Sequence, residues 1–281
     1  MDYSQVTLSN IMMQIGNHTN IQIEENLVRH MVLNSIRMYK TKFGPDYGEL
    51  IIACDTRNYW RKQVFPYYKA SRKKARAESE LDWKAIFECL NKIKEELKEY
   101  FPYRVIDVDG SEADDVIGTL VQEYGNTNQK ILILSADKDF VQLQTYMNVE
   151  QYDPINKKKI TCNNPEQFLL EHIIKGDAGD GIPNILSDDN CFVLGIRQSP
   201  VTAKKMAALQ SINLNETPTH IAYRNFKRNK QLIDLSQIPD SIRMAIMESF
   251  HAQANKKATN ILNYFIANRL KNLTESIGDF T

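Results

Sequence analysis

The sequence has no long apolar run and no leader-like start. A helix that crosses a bilayer needs about 18 to 20 consecutive apolar residues, and no stretch of these 281 residues approaches that length. A secretory signal begins with a basic region followed by an apolar one, and the opening residues Met1 to Val6 show neither. We therefore predict no membrane association and a cytoplasmic location.

Cysteine is scarce, with four residues far apart along the chain and no C-x-x-C pair. This spacing argues against a structural zinc site and against a disulfide scaffold, and it fits a reducing compartment. The histidines have no ligand spacing either, and we predict that each of them is incidental. They are His18, His30, His172, His220 and His251.

Net charge is also lacking, because 35 basic residues balance 35 acidic ones. This balance weakens a simple case for nucleic-acid binding, but it hides a segregation. Between Asn58 and Ala77 all seven charged residues are basic, whereas between Asp107 and Asp115 all five are acidic. A basic stretch attracts a phosphate backbone and an acidic one can hold a metal, so the pair is typical of a metal nuclease.

The chain does have acids in four short clusters, three of which follow predicted strands. In an open α/β sheet, ligands bind at the carboxyl ends of the strands, so these acids can converge on one edge. Converged carboxylates raise one another's pKa and stay ionised together only where cations hold them. Oxygen donors indicate two Mg²⁺ ions, with Mn²⁺ as an alternative, a recurrent means of cutting phosphodiesters. The acids are Asp55, Glu112, Asp114, Asp115, Asp137, Asp139, Asp177 and Asp180.

Each cluster also has a plainer interpretation. An acid at a helix N-terminus is often only a cap, which would account for Asp114 but not for three acids within four residues. The pair Asp137 and Asp139 could belong to a common turn, and Asp177 with Asp180 to an ordinary glycine-rich loop. The combination on neighbouring strands favours the metal site.

Hydrophobic periodicity predicts strands that alternate with helices, which indicates an α/β fold with a parallel sheet. The predicted helices are 23–40, 81–99, 114–124 and 165–174. The predicted strands are 49–54, 104–108 and 131–134, with a hairpin turn at 152–157. We place an α/β domain at 1–174 and a helical nucleic-acid-binding region at 175–281, and we expect the polar stretch 186–198 to lack order without nucleic acid.

The basic segment 58–80 mixes aromatic residues with Lys and Arg and has few aliphatic ones. We therefore predict weak packing and a mobile piece that orders on substrate. Charge runs are most often solvated helix faces, but rings stack on bases and basic groups contact phosphates, which favours nucleic-acid binding. The predicted contacts are Tyr59, Arg61, Lys62, Tyr68, Lys69, Arg72, Lys73, Lys74 and Arg76.

Together these pieces resemble the 5′ nuclease, or flap endonuclease, family, and within it the ribonuclease H branch of T-even-like bacteriophages. The likeness covers nearly the whole chain; the spaced set of acids is specific, although no single piece is. The matching motifs are Asp2-Tyr3-Ser4-Gln5, Cys54-Asp55, Tyr59-Trp60-Arg61, Tyr68-Lys69-x-x-Arg72, Glu112-Ala113-Asp114-Asp115, Ser135-x-Asp137-x-Asp139-Phe140 and Lys175-Gly176-Asp177-x-x-Asp180.

The resemblance implies a fold and a set of roles. The fold would be PIN-like, a central and mostly parallel sheet flanked by helices, with a helical arch at 58–80 and a helix-three-turn-helix in the C-terminal region. Lys69 and Arg72 match the base of the arch, which approaches the scissile phosphate, and with Asp114 and Asp139 they are our catalytic candidates. The family's first metal cluster matches Asp2, Asp55, Glu112 and Asp114, and the second matches Asp115, Asp137, Asp139, Asp177 and Asp180.

The resemblance also implies an activity and partners. The family cleaves RNA·DNA hybrids and DNA duplexes or flaps from the 5′ end, as in removal of RNA primers from lagging strands during phage replication. We accordingly expect a monomer in the host cytoplasm, with a single-strand-binding protein and a sliding clamp as candidate partners.

Two departures from the family bear on these expectations. The family has a β-strand before its first Asp, whereas this sequence begins Met1-Asp2. Either the sequence is truncated, or Asp2 lies at a charged terminus without support, which would weaken one metal ligand. The glycine-rich hairpin after the last Asp pair is interrupted by Leu186 to Ser199, which argues against a tight site for a duplex backbone.

Two alternative functions stay open. One is a structure-specific DNA-binding protein with weak catalysis. The other is an acid-rich phosphotransfer enzyme of the toprim or haloacid-dehalogenase type. Those folds use one strand-end Asp-x-Asp and do not need a basic, aromatic arch.

Overall fold

The computed structural model describes residues 1–15, 24–79, 81–211 and 221–281. Ile23, where the first predicted helix begins, lies outside these ranges, as do His18 and His220. Among the described residues, no helix combines the length and the apolar character needed to cross a membrane.

Five short strands of the described chain form two small sheets. These are β1 Ile51–Ala53, β2 Arg104–Ile106, β3 Ile131–Leu134, β4 Val149–Asp153 and β5 Lys158–Ile160. β1 pairs with β2 in parallel, with Ile52 opposite Val105. β3 pairs in parallel with β4, which pairs in antiparallel with β5 across the predicted hairpin turn. The mostly parallel sheet of an α/β protein is confirmed.

The first two residues join the two sheets. Ala53 N donates to Met1 O at 2.9 Å and Asp2 N donates to Leu134 O at 3.2 Å, so both residues lie between the ends of β1 and β3. A cavity of about 430 Å³ lies next to Met1, and its lining includes Ile51 of β1 and Ile131 of β3. Asp2 is 5% exposed, in contrast to the unsupported position that its place in the sequence led us to expect.

Helices surround the sheet. In the described ranges the α-helices are α1 Tyr3–Ile15, α2 Glu25–Tyr47, α3 Arg61–Val64, α4 Ala70–Ala77, α5 Trp83–Tyr100, α6 Ala113–Tyr124, α7 Pro165–Lys175, α8 Cys191–Leu194, α9 Ala203–Ser211, α10 Ile221–Ile233, α11 Asp240–Ala252, α12 Ile261–Ala267 and α13 Lys271–Thr274. Tighter 3₁₀ turns span Lys138–Thr145, Leu235–Gln237 and Ile277–Phe280.

Local sequence signals explain several helix ends. Asp82 caps α5 by accepting a hydrogen bond from Ala85 N at 2.9 Å. Asn164 caps α7 by accepting one from Gln167 N at 3.0 Å, and Pro165 suits the first turn that follows. Gly176 ends α7 at a φ of 68°, a conformation that glycine adopts without strain.

The largest core cluster joins both ends of the chain. Val6 of α1, Ile36 of α2 and Ile93 of α5 pack in one cluster with Phe265 of α12 and Phe280 near the C-terminus, and all five are fully buried. The C-terminal helices therefore help to close the core of the α/β part. The domain boundary after residue 174 stays a prediction.

Two predictions about irregular segments need correction. The segment 58–80 is not loosely packed throughout, because Phe65 and Tyr68 are buried against Ile173 and Leu232. Its few aliphatic residues misled the prediction, since its aromatic rings supply the apolar surface instead. The stretch 186–198 has a defined path that includes α8, whereas we expected a lack of order there.

Candidate metal centre

Acids from five separate parts of the sequence meet at one edge of the sheet. Their charges act on one another, since Asp55 raises the pKa of Asp2, Asp137 raises that of Asp114, and Asp180 raises that of Asp137. The start of the chain, the ends of β1 and β3, the start of α6 and the turn after α7 supply this edge. The acids brought together are Asp2, Asp55, Glu112, Asp114, Asp137, Asp139, Asp177 and Asp180.

Asp2 is fixed by hydrogen bonds on both carboxylate oxygens. Its Oδ2 accepts from Ser135 Oγ at 3.0 Å and its Oδ1 accepts from Gln5 N at 3.0 Å. Burial, followed by the charge of Asp55, raises the pKa of Asp2 to about 7. A carboxylate with this pKa is about half protonated at neutral pH, and a nearby cation would favour its ionised form.

Asp55 and Asp114 flank the first turn of α6. Asp55 Oδ1 accepts a hydrogen bond from Ala113 N at 3.0 Å, so the backbone of the helix start holds it in place. Burial, and then the charge of Asp137, raise the pKa of Asp114 well above its usual range. The cap interpretation fits Glu112 and Asp115, which form the capping box of α6, and it does not fit Asp114.

Asp137 and Asp139 follow β3. Asp137 Oδ1 accepts a hydrogen bond from Asp139 N at 2.9 Å, which fixes the turn. Burial raises the pKa of both acids, assisted by their acidic neighbours, and that of Asp139 lies well above its usual range. Among the described residues, Asp139 Oδ1 is buried and receives no hydrogen bond.

The glycine-rich turn brings Asp177 and Asp180 to the same edge. Asp177 N donates to Ile182 O at 2.8 Å and Ile182 N donates to Asp177 O at 2.7 Å, which closes a tight loop. Gly181 lies in this loop with a φ of 71°, against the basic segment. Burial opposes ionisation of Asp177, but the hydrogen bond with His172 and the charge of Lys138 prevail and lower its pKa.

The base of the arch faces the acids directly. Lys69 Nζ lies 2.6 Å from Glu112 Oε1 and 3.6 Å from Asp180 Oδ2, and Arg72 forms an ion pair with Asp180. Lys69 N also donates to Asp180 O at 2.7 Å. Positive groups therefore lie beside the carboxylates, where a phosphate would need them.

Three predicted residues are buried in positions that do not suit their predicted roles. Arg61 lies 2.8 Å from Asp115 Oδ1 and 3.0 Å from Glu112 Oε2, and it is 2% exposed. Asp115 Oδ2 also accepts from Glu112 N and from the indole of Trp60, so partners inside the protein occupy both of its oxygens. Arg61 cannot guide a strand from there, and Asp115 does not face the second cluster.

Tyr68 is the third of these residues. Its hydroxyl lies 2.9 Å from Asp180 Oδ2 and 3.1 Å from Glu112 Oε2, and the side chain is buried. It supports two acids of the centre, which leaves no ring face for a base. The spacing within the basic segment could not reveal which side chains turn inward.

The outward basic residues lie on α3 and α4. Lys62, Arg72 and Arg76 are exposed, with Lys62 Nζ 4.2 Å from the centre of the Tyr59 ring. Lys73 and Lys74 belong to α4, but their side chains are outside the described set. A basic surface thus leads away from the acids.

His172 is a member of the centre that the sequence reasoning missed. Its ring nitrogens each lie 3.3 Å from a carboxylate oxygen, one of Asp139 and one of Asp177. It occurs five residues before Asp177, on the last turns of α7. Its position one helical turn before a glycine-rich acidic loop was the only available signal.

The donor set fits divalent cations. Most donors are carboxylate oxygens, several with raised pKa values, and one buried oxygen of Asp139 receives no hydrogen bond from the described residues. Such acids repel one another, and bound cations would remove the repulsion. Hard, oxygen-rich sites of this kind suit Mg²⁺ or Mn²⁺.

Two family profiles match the chain. The family described as 5′-3′ exonuclease, N-terminal resolvase-like domain, matches residues 10–172. The family described as T4 RNase H, C terminal, matches residues 163–280.

Known proteins with similar sequences carry related names. The chain is 34% identical to the ribonuclease H of Enterobacteria phage T4 over 290 aligned residues, which cover 100% of this chain and 94% of that protein. It is 34% identical to the flap endonuclease Xni of Shewanella woodyi over 134 residues, which cover 45% of this chain and 49% of that protein.

Solved structures share the fold. The T5 D15 protein co-crystallised with metal ions has a TM-score of 0.62 and 18% identity, over 90% of this chain and 97% of that chain. The T5 5′-exonuclease with bound zinc has a TM-score of 0.61 and 19% identity, over 87% and 97%. At these identities the likeness shows the fold, which agrees with the predicted PIN-like architecture.

Proposed function

Because this chain belongs to the 5′-3′ exonuclease family, we propose that it is a metal-dependent 5′ nuclease that acts on RNA·DNA hybrids and on DNA duplexes or flaps. It is a hydrolase of phosphodiester bonds. The names of its relatives, which are ribonuclease H, 5′-3′ exonuclease and flap endonuclease, support this range of substrates. Removal of RNA primers from lagging strands in phage replication is the role that fits best.

The observation that carries this proposal is the meeting of acids from residues 2 to 180 at one edge of the sheet. Burial and mutual repulsion raise the pKa of Asp2, Asp114, Asp137 and Asp139. A fold keeps such an arrangement at a cost to its stability, which bound cations offset. Sites that perturb acids in this way are typical of catalytic centres.

Two groups of acids would hold two cations, with Mg²⁺ as the expected metal. Asp2, Asp55, Glu112 and Asp114 form the first group, and Asp137, Asp139, Asp177 and Asp180 form the second. Divalent cations held by these acids would lower the pKa of a bound water for attack and would neutralise charge on the leaving 3′ oxygen.

Lys69 and Arg72 would act on the scissile phosphate. Both lie beside acids of the centre, through Glu112 and Asp180, so they are held at the border between the carboxylates and the arch. From this border they can offset the negative charge that develops on the phosphate oxygens. The exposed residues Lys62 and Arg76, with Lys73 and Lys74, would guide the 5′ strand through salt-sensitive contacts.

The remaining assignments concern the surroundings of the enzyme. We propose that it acts as a monomer in the host cytoplasm, on nucleic acid displaced at a replication fork. A single-strand-binding protein and a sliding clamp are the proposed partners, because primer removal takes place where both are bound.

The test is a cleavage panel with 5′-labelled substrates. A DNA flap, an RNA·DNA hybrid and a blunt duplex are each incubated with Mg²⁺, Mn²⁺, Ca²⁺ or EDTA. We expect release of short 5′ products with Mg²⁺ or Mn²⁺ and none with EDTA. Tight flap binding without cleavage in either metal would instead favour a catalytically weak DNA-binding protein, and cleavage confined to phosphomonoesters would favour another phosphotransfer enzyme.

A further inference from the structure

His172 lies inside the metal centre and has two distinct polar neighbours. It is on α7, it is 6% exposed, and its ring stands between two carboxylates. Nδ1 is 3.3 Å from Asp139 Oδ1, and Nε2 is 3.3 Å from Asp177 Oδ2. One donor atom from each of the three residues lies within 4.8 Å of the others, a spacing at which they could share one cation.

The partners of Asp177 indicate which ring nitrogen carries the proton. Asp177 Oδ1 accepts from the amides of Gly179 at 2.8 Å and of Asp180 at 3.2 Å. Its Oδ2 lies 3.1 Å from Lys138 Nζ and within hydrogen-bond distance of His172 Nε2. Because Asp177 is surrounded by donors and acts only as an acceptor, Nε2–H donates to it in the neutral ring. In that tautomer Nδ1 is an acceptor.

Nδ1 then faces a second acceptor. Asp139 Oδ1 is buried and receives no hydrogen bond within the described part of the chain. Two acceptors 3.3 Å apart repel each other unless a proton on the carboxyl of Asp139 or a bound cation lies between them, and a cation bound there would take the place of that proton. Histidines that bind a metal through one nitrogen usually donate the other N–H to a carboxylate, which is the relation of Nε2 to Asp177.

Resting on the proposed nuclease function, we propose that His172 Nδ1 and Asp139 together bind the cation of the second group and make that site selective for Mn²⁺ and other transition metals over Mg²⁺. Imidazole is a good donor for transition metals, whereas Mg²⁺ prefers oxygen and keeps several waters. Loss of the ring therefore weakens binding of Mn²⁺ more than binding of Mg²⁺.

The competing arrangement is a doubly protonated ring that neutralises both acids. Such a ring would take the place of a cation, so its removal would strengthen binding of both metals or leave it unchanged. The two arrangements thus predict opposite effects of one substitution.

The experiment measures metal binding by the full chain without nucleic acid. Mn²⁺ binding is followed by electron paramagnetic resonance and Mg²⁺ binding by calorimetry, for the unchanged protein and for His172→Gln. The matched control is His251→Gln, since His251 is exposed on α11. We expect the His172 variant to lose about tenfold or more in Mn²⁺ affinity and a clearly smaller factor for Mg²⁺, with the control unchanged. Equal losses for both metals, or tighter binding, would overturn the inference.

A measurement on the unchanged protein makes the test independent of how the variant folds. With ¹⁵N-labelled histidine, titration with diamagnetic Zn²⁺ should move the Nδ1 resonance of His172 while Nε2 stays protonated. A ring that remains protonated on both nitrogens at saturating Zn²⁺ would overturn the inference.

The cleavage panel separates this inference from the proposed function. Cleavage with unaltered metal preference in His172→Gln would refute the role of His172 and leave the nuclease standing. If the protein bound Mn²⁺ selectively through His172 but cleaved no substrate, the proposed nuclease activity would be refuted and the proposed metal site would stand.

Discussion

The guanidinium of Arg61 lies 2.8 Å from the carboxylate of Asp115, and both side chains are buried. The same guanidinium reaches Glu112, and its Nε donates to Leu232 O at 2.9 Å. One cation thus ties α3, the start of α6 and the end of α10 together beneath the acids. This relationship makes Arg61 a structural residue of the centre.

The first prediction is that Arg61→Ala destabilises the protein by about 3–5 kcal/mol, because it leaves the buried carboxylate of Asp115 without its ion-pair partner and removes one partner of the buried Glu112. Lys62→Ala, at the exposed neighbour, should change stability by less than about 0.5 kcal/mol. Chemical denaturation measures both. If Arg61→Ala kept its stability and lost only nucleic-acid affinity, the residue would be a strand contact after all.

Asp139→Asn should abolish most cleavage without harming the fold. The substitution removes one charge from a group of mutually repelling acids, so the metal-free variant should unfold at the same temperature as the unchanged protein or at a higher one. Mg²⁺-dependent cleavage should fall by about 10²-fold or more, while flap binding persists. Asp109→Asn is the matched control, since Asp109 is exposed. Unchanged turnover in Asp139→Asn would discard the site assignment.

Lys69→Ala should reduce turnover more than binding. Lys69 lies beside Glu112 and Asp180, where it can act on the phosphate, so a loss of about 10²–10³ in turnover is expected. Arg76→Ala, farther along α4, should instead weaken binding and its salt dependence with little change in turnover. Single-turnover cleavage with saturating enzyme separates the two. An effect of Lys69→Ala on binding alone would make Lys69 a steering residue.

The ends of the strands could be predicted from the sequence, because a continuous apolar run followed by acids is typical of a buried strand that ends at a polar site. The runs before Asp55 and Asp137 match β1 and β3, whose carboxyl ends meet because Met1 and Asp2 join the two sheets. What could not be predicted is the direction of side chains in the basic segment. We predicted from the sequence that Arg61 and Tyr68 contact nucleic acid at the surface. Their side chains turn inward instead, because their partners come from other parts of the chain.

Asp2 and His172 were misjudged for a related reason. Asp2 is the second residue of the sequence, and the contacts of its backbone with Ala53 and Leu134 show that it is part of the sheet. His172 has no ligand spacing, because its partners Asp139 and Asp177 meet it through packing of α7 on the turn after β3. Contacts between distant segments carry no local pattern.

The last prediction concerns pH. Burial and the neighbouring charge of Asp55 raise the pKa of Asp2 in the metal-free fold from 3.8 to about 7. The folded state therefore holds a proton that the unfolded chain releases at lower pH, so this contribution to stability is complete below about pH 4 and is lost as the pH rises to about 7. Mg²⁺ replaces the proton, so the rise in unfolding temperature on adding Mg²⁺ should be small at about pH 5 and grow through about pH 7.

Thermal unfolding with Mg²⁺ and with EDTA across this pH range measures the effect. Asp2→Asn provides the matched comparison, because an amide cannot titrate and should flatten the pH dependence of the metal-free protein. Ca²⁺ should stabilise with the same trend even though it is not expected to support cleavage. A Mg²⁺-induced rise that is constant from about pH 5 to about pH 8 would mean that the acids are ionised without metal, and the repulsion on which the metal centre rests would then be absent.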